Sequence, residues 1–261
     1  MQRIKKAARR TFVFQILRDL QARKALSQWN AQDQRMLEFY SAFVSGGALC
    51  FDVGANVGNR TKVLLRLGAT VVAVEPQERC VKILKAAYHN HPRFRLVPKG
   101  LGEMEREAEL RVSEVNTISS ISAEWIEAVR KSGRFSEYNW SKRQIVQLTT
   151  LDKLIAEHGI PAFIKIDVEG FEYQVIKGLS QKVHVISFEF TPEFVGPAFD
   201  SLEHLRRLGD IAVNFSLEEN MYFEFKDWMP ASDAVNKLSG FRHHYETFGD
   251  IYVRFNSNCR L

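Results

Sequence analysis

The chain has 261 residues, of which 45% are hydrophobic, 26% charged and 11% aromatic. This composition is ordinary for a globular protein, and the length suits one large α/β domain or two small ones, which excludes a collagen-like chain, a disordered tail protein and a small disulfide-stapled peptide. The net charge of +5 is unevenly placed: residues 1–24 carry eight cations against Asp19 alone, a local +7, so the rest of the chain sums to −2 and has no general nucleic-acid-binding charge.

Ile4, Ala8, Phe12, Ile16 and Leu20 recur every four residues, and residues 3–25 read as an amphipathic helix. Its cations and apolar stripe suggest docking on an anionic membrane surface; packing on the protein body with the cations solvated is the other reading. Met36, Leu37, Tyr40, Phe43 and Val44 mark a second helix ended by Gly46-Gly47, so residues 1–47 are expected to form an N-terminal helical extension.

From residue 48 apolar runs alternate with helical stretches, the pattern of βαβ units around a parallel sheet. Strands are expected at Ala48–Val53, Thr70–Glu75, Phe94–Val97, Phe163–Asp167, His184–Phe190, Ile211–Leu217, Tyr222–Phe225 and Ile251–Phe255. Helices are expected at Asn59–Leu67, Glu78–Asn90, Tyr173–Leu179 and Ser201–Leu208. Residues 98–150 break the rhythm with a strand at Glu107–Val112, a helix at Ser122–Lys131 and an extended run at Arg143–Leu148. The reading is one α/β domain over 48–261, a Rossmann-like sheet of about seven mostly parallel strands with helices on both faces and an insertion around 98–150.

Cys50, Cys80 and Cys259 form no Cys-x-x-Cys pair, which argues against a disulfide framework or structural zinc and for a reducing cytosol. No run reaches the roughly 18 apolar residues of a membrane span, and the N-terminus lacks the apolar core of a secretory signal. A cytoplasmic protein is expected, at the inner membrane face if the N-terminal helix docks there.

The most informative segment is Phe51-Asp52-Val53-Gly54-Ala55-Asn56-Val57-Gly58-Asn59, an apolar strand running into an acid, a glycine-spaced turn and a helix. Such a turn lets a ligand approach the backbone and offers free N–H donors. A dinucleotide site normally carries glycine where Asp52 stands, and this carboxylate would repel a diphosphate. It suits the ammonium of an amino acid. Seventeen residues past Gly58, the next strand ends in Glu75-Pro76, and an acid there can accept hydrogen bonds from a ribose diol. A nucleoside with an amino-acid tail and no phosphates describes S-adenosylmethionine.

A second distinctive block is Phe163-Ile164-Lys165-Ile166-Asp167-Val168-Glu169-Gly170-Phe171-Glu172. With the Asp52–Gly58 turn and Val146–Asp152, it resembles the FkbM-type family of S-adenosylmethionine-dependent methyltransferases over about residues 48–190. The resemblance implies a seven-stranded class I methyltransferase fold and methyl transfer to a hydroxyl of a sugar, glycan or natural product. Carried over, Asp52, Gly54, Ala55, Asn56, Gly58, Glu75 and Pro76 form the cofactor site, with Leu101-Gly102 near the adenine. The stretch Asn116-Thr117-Ile118-Ser119-Ser120 resembles the family's serine-containing loop loosely, making Ser119 and Ser120 weak candidates for substrate contact.

Strand alternation places Lys165, Asp167 and Glu169 on one face at the carboxyl end of a central strand, where open α/β sheets bind ligands. Glu189 ends the next strand and is expected to face the same crevice. An alcohol is a poor nucleophile unless its proton is removed during attack, so a positioned base is wanted. Glu169 or Glu189 is the candidate base, Lys165 tunes or replaces them if its pKa is lowered, and Asp167 lies nearest the methionine portion. The bland reading is a charge cluster bracing the Gly170 turn.

The seven histidines include no i, i+4 pair, and no metal site is expected, although Asp167 with Glu169 leaves a weak Mg²⁺ site open. His184 reads as packed within a strand. Trp125, Phe135, Tyr138 and Trp140 form either a wall for a sugar ring or the covering of the inserted helix. The alternatives are a nicotinamide-dependent oxidoreductase, a nucleic-acid methyltransferase, for which no Asn-Pro-Pro-Tyr or Asp-Pro-Pro-Tyr block occurs, and a non-enzymatic nucleoside-binding module.

Overall fold

The structure is a computed structural model and describes residues 19–241 and 247–256. Most of the helix expected over 3–25 lies outside these residues; residues 19–27 are helical (α1). Helix α2 (Ala31–Tyr40) starts at a reciprocal cap, in which the Asn30 side chain accepts from the Asp33 N–H and the Asp33 carboxylate accepts from the Asn30 N–H, both at 2.9 Å. Met36, Phe39 and Tyr40 of α2 are buried against the sheet in one cluster with Val63, Leu64, Phe163 and Tyr252.

The βαβ rhythm runs β1 (Leu49–Val53), α3 (Asn59–Arg66), β2 (Thr70–Val74), α4 (Glu78–Tyr88) and β3 (Phe94–Val97). It resumes with α6 (Leu151–His158), β7 (Phe163–Ile166), α7 (Glu172–Lys177), β8 (Val185–Phe190), α8 (Gly196–Leu208) and β9 (Ile211–Leu217). Between these halves, β4 (Gly100–Leu101), β5 (Arg106–Val112) and β6 (Lys142–Thr149) make a separate small sheet, with α5 (Ala123–Ser132) capped by the Ser122 side chain. The chain closes with β10 (Met229–Pro230), α9 (Ala231–Phe241) and β11 (Gly249–Phe255).

The main sheet has eight strands in the order β10-β9-β11-β8-β7-β1-β2-β3. It is more mixed than expected. The pairings from β3 across to β8 are parallel, whereas β11 enters antiparallel between β8 and β9, and β10 pairs antiparallel with β9. The strand expected at Tyr222–Phe225 is absent. There the buried Asn214 side chain takes the ladder's place, donating to Phe225 O at 2.7 Å and accepting from Phe225 N at 3.3 Å, and the extra edge strand forms at Met229–Pro230 instead. Helix α9, which buries Ala234 and Leu238, had no counterpart in the sequence reading. His184 lies exposed just ahead of β8, not packed within it. No helix among the described residues is long and apolar enough to cross a membrane.

Side-chain alternation divides the core. Phe51, Val53, Ile164, Ile166, Ile186, Phe188, Ile251 and Val253 fill one face of the sheet. The opposite face starts apolar with Cys50, Phe163 and Tyr252 but turns polar toward the carboxyl ends of the parallel strands, where Asp52, Lys165 and Ser187 stand in register across β1, β7 and β8. Glu189 pairs in register with Asp250 of β11 on the same face. That polar row leads into the cavity.

Candidate active site

A cavity of about 240 Å³ opens at the carboxyl ends of β1, β2, β7 and β8. One wall is the turn from β1 to α3. Gly54 has φ +79, and a Cβ on it would fall 1.8 Å from the Asp167 carbonyl oxygen, so only glycine fits between the ends of β1 and β7. The Gly54 and Ala55 N–H groups donate to Val74 O at 2.9 and 3.1 Å, tying this turn to β2. Glu75 follows β2; its carboxylate accepts from Asn56 N at 2.8 Å and Gln77 N at 2.7 Å. Burial pushes the Glu75 carboxyl up to about 7 against those two hydrogen bonds. Asp52 is 2% exposed and accepts from the Thr61 hydroxyl at 2.5 Å; burial raises its pKa too.

Of the candidate site residues, Asp52, Gly54, Ala55, Asn56, Glu75, Pro76, Leu101, Ser119, Asp167, Glu169 and Glu189 line this cavity. Gly58, Gly102, Ser120 and Lys165 do not. Gly58 packs against Leu84 of α4, and the Gly102 N–H is spent on Thr149 O at 2.9 Å. Ser119 links the inserted loop to the site by accepting from Gln77 Nε2 at 3.1 Å. Ser120 acts from behind, its hydroxyl donating to Glu169 O at 2.5 Å. Trp125 is 1% exposed in its own cluster, with Phe135, Tyr138 and Trp140 packed around it, so this aromatic group covers the insertion and does not line the cavity at the strand ends.

Strand β7 ends at Ile166, and the backbone then turns. Glu169 takes φ +54 and Gly170 φ +86, with Gly170 closed against the Trp125 ring. This turn directs Glu169 toward Asp167 and Glu189: one oxygen from each carboxylate lies within 4.8 Å of the others. Lys165 is fully buried; its Nζ lies 2.7 Å from Asp250 Oδ1 and 3.8 Å from Asp167 Oδ2. Arg60 Nη1 lies 2.8 Å from Asp167 Oδ2 on its other side.

These neighbours separate the titrations. Burial works to raise Asp167, but the charges of Lys165 and Arg60 outweigh it and hold its carboxyl below the usual range. Burial, then the charge of Glu189, pushes Glu169 well above that range, and burial, then Asp167, does the same to Glu189. Within the cluster Asp167 is therefore the acid that ionises most readily, and the two glutamates hold their protons to higher pH than an ordinary carboxyl. Lys165 is corrected as a candidate base: burial pulls its pKa down, but Asp250 and Asp167 raise it overall, so it stays an ammonium.

Arg60, Thr61 and Asp250 were missed. A buried lysine demands an anionic partner, so Lys165 was the one signal that called for an acid elsewhere. Glu218, Glu219 and Phe248 also line the cavity from the C-terminal part of the chain.

The model of the Methyltransferase FkbM domain matches residues 52–212. The chain belongs to the FkbM methyltransferase family. The match starts at Asp52 and takes in the turn, Glu75 and all three clustered carboxylates, whereas Asp250, Glu218, Glu219 and Phe248 stand outside it. Ribosomal RNA small subunit methyltransferase A of Sphingopyxis alaskensis is 43% identical over 67 residues, and the matched stretch is a quarter of this chain and a quarter of that curated relative. Among solved structures, an O-methyltransferase described as putative from Klebsiella pneumoniae has a TM-score of 0.45 at 9% identity, covering 93% of this chain and 90% of that one. Precorrin-6y C5,15-methyltransferase from Geobacter metallireducens GS-15 has a TM-score of 0.43 at 10% identity, covering 84% and 87%.

Proposed function

We propose that this methyltransferase uses S-adenosylmethionine to methylate a hydroxyl group on a small-molecule or glycan acceptor. The observation that carries the reading is the pair of strand-end acids, Asp52 and Glu75, on either side of the glycine turn in the cavity that also holds the Asp167, Glu169 and Glu189 cluster.

The donor set fits this cofactor. The two backbone N–H groups on Glu75 occupy part of its carboxylate, which has about four lone-pair sites and so keeps capacity for a ribose diol. Pro76, Leu101, Leu110 and Ile121 beside it offer apolar walls for a base. When bound, S-adenosylmethionine supplies an activated methyl group. Glu169 or Glu189, once deprotonated, takes the proton from the acceptor hydroxyl. Asp167, held ionised by Arg60 and Lys165, keeps a fixed negative charge beside them, and the Ser120 hydroxyl holds the Glu169 backbone in its turn. The same three carboxylates have oxygen spacing that suits one hard divalent cation, but Arg60 and Lys165 already balance Asp167.

Incubation with methyl-labelled S-adenosylmethionine and fractionated cell extract tests the reading. A base-stable methyl ether on a small molecule or glycan is the expected product. A base-labile ester, or label on RNA, would place the acceptor in another class.

A further inference from the structure

A groove on the inserted segment shares no lining residue with the cavity at the strand ends. Arg111 of β5, Arg143 of β6 and Arg130 of α5 meet in it, with Asn139, Trp140 and Ser141 beside them. Arg111 and Arg143 stand directly opposite each other across the β5–β6 ladder. Like charges in that position destabilise a sheet unless something negative sits between them. The protein supplies one carboxylate oxygen there: Glu109 Oε1 lies 2.5 Å from Arg143 Nη1 and 3.7 Å from Arg111 Nε. Arg130 is exposed and its side chain makes no ion pair among the described residues, whereas its neighbour Lys131 is paired with Glu127 at 2.6 Å. Three guanidinium groups therefore share a single acid, three charges against one, a net +2. A cation in the last turn of α5 suits the helix dipole, but the dipole gives no reason for arginines of β5 and β6 to gather round it.

We propose that this groove binds a phosphate group, as a second ligand site outside the methyl-transfer cavity. Guanidinium forks match phosphate oxygens with paired hydrogen bonds, and forks from three elements suit a tetrahedral anion better than a flat carboxylate. The Trp140 ring is fixed as a wall by its own N–H, which donates to Ile118 O at 2.6 Å. The groove is also joined to the catalytic turn. Arg111 and Ser120 exchange backbone N–H···O bonds at 2.9 and 3.1 Å, and the Ser120 hydroxyl holds the Glu169 carbonyl. Arg111 and Trp140 thereby hold the loop whose Thr117 and Ser119 line the cavity. A nucleic-acid backbone needs a track of cations, and Glu109 and Glu127 interrupt one here.

Calorimetry of the full chain with inorganic phosphate tests this on the wild type, Arg130→Gln and Arg143→Gln. Both side chains are exposed, so folding should survive, and thermal melts matching the wild type check that it does. Each change removes a charge-assisted contact and should weaken phosphate binding roughly 10- to 100-fold. Arg207→Gln, which alters an exposed arginine of α8 paired with Glu203, is the control and should bind as the wild type does. No phosphate binding by the wild type, or equal affinity in the wild type and both groove variants, overturns the proposal. Phosphatidylcholine vesicles with and without phosphatidic acid distinguish the sources. Loss of flotation on phosphatidic acid in the groove variants assigns a lipid headgroup, and flotation equal to the wild type assigns a soluble phosphate ester. Groove variants that lose affinity for a single-stranded RNA but not for inorganic phosphate would also overturn the proposal, in favour of a nucleic-acid site.

Discussion

Lys165 Nζ and Asp250 Oδ1 lie 2.7 Å apart although 85 positions separate them in the chain, and their side chains are 0% and 9% exposed. Lys165 comes from β7 and Asp250 from β11, which do not pair; β8 runs between them. The pair therefore spans a strand beneath the active site. It also leaves Lys165 without a lone pair for catalysis, because Asp250 and Asp167 keep its amine protonated.

Asp250→Asn should accordingly act on stability. Removing one partner from a buried ion pair leaves an uncompensated charge and costs about 3–5 kcal/mol. Urea unfolding of the variant measures this. A loss well under 1 kcal/mol would mean that Asp167 alone suffices for Lys165.

Glu169→Gln and Glu189→Gln separate the base from its neighbour. Removing the base should lower single-turnover methyl transfer by roughly 10²–10⁴ while cofactor affinity is retained. The base must be deprotonated to work, so the wild-type rate should rise with pH through a value above the usual carboxylate range. If Glu169 is the base, Glu189→Gln removes the second cause of its raised pKa and moves that limb to lower pH. Normal turnover in both variants, with an unmoved pH profile, would make the cluster a structural brace.

Glu75 carries both an affinity and a stability prediction. Glu75→Ala should weaken S-adenosylmethionine binding about 10- to 100-fold in calorimetry, the equivalent of roughly 1.5–3 kcal/mol of charge-assisted hydrogen bonding. In the folded protein its carboxyl is raised from the usual 4.5 to about 7. A group raised on folding contributes stability that is complete below its unfolded value and lost as pH climbs through the folded one. Relative to Glu75→Gln, which cannot ionise, the wild type should thus lose on the order of 3 kcal/mol between pH 4.5 and 7. Parallel unfolding curves for the two proteins at pH 5 and pH 8 would contradict the burial argument.

The +7 charge of residues 1–24 predicts binding to anionic vesicles in flotation at low salt and release at high salt. In the structure the one acid of this segment is engaged with the body, since Asp19 Oδ1 lies 2.6 Å from Arg79 Nε. Equal flotation on neutral and anionic vesicles, or none on either, would assign the segment to the protein body.

The sequence by itself determined the features that local geometry dictates. A period of two along a strand, followed by an acid and glycines, marks the end of β1 and the turn at Gly54, and the same logic places Glu75 just past β2 and Asp167 just past β7, two residues on from Lys165. These depend on residues adjacent in the chain, so the pattern survives without knowledge of the fold. Alternation stopped being a guide at Glu169, whose left-handed backbone is held by Ser120 and by the packing of Trp125 on Gly170, contacts made by a distant insertion. Only the tertiary structure decided the partners of the charges. Arg60 reaches Asp167 because α3 starts beside β7's carboxyl end, and Asp250 reaches Lys165 because β11 enters the sheet antiparallel between β8 and β9. A buried charge announces that it needs a counter-charge, but sheet order selects the segment that supplies it.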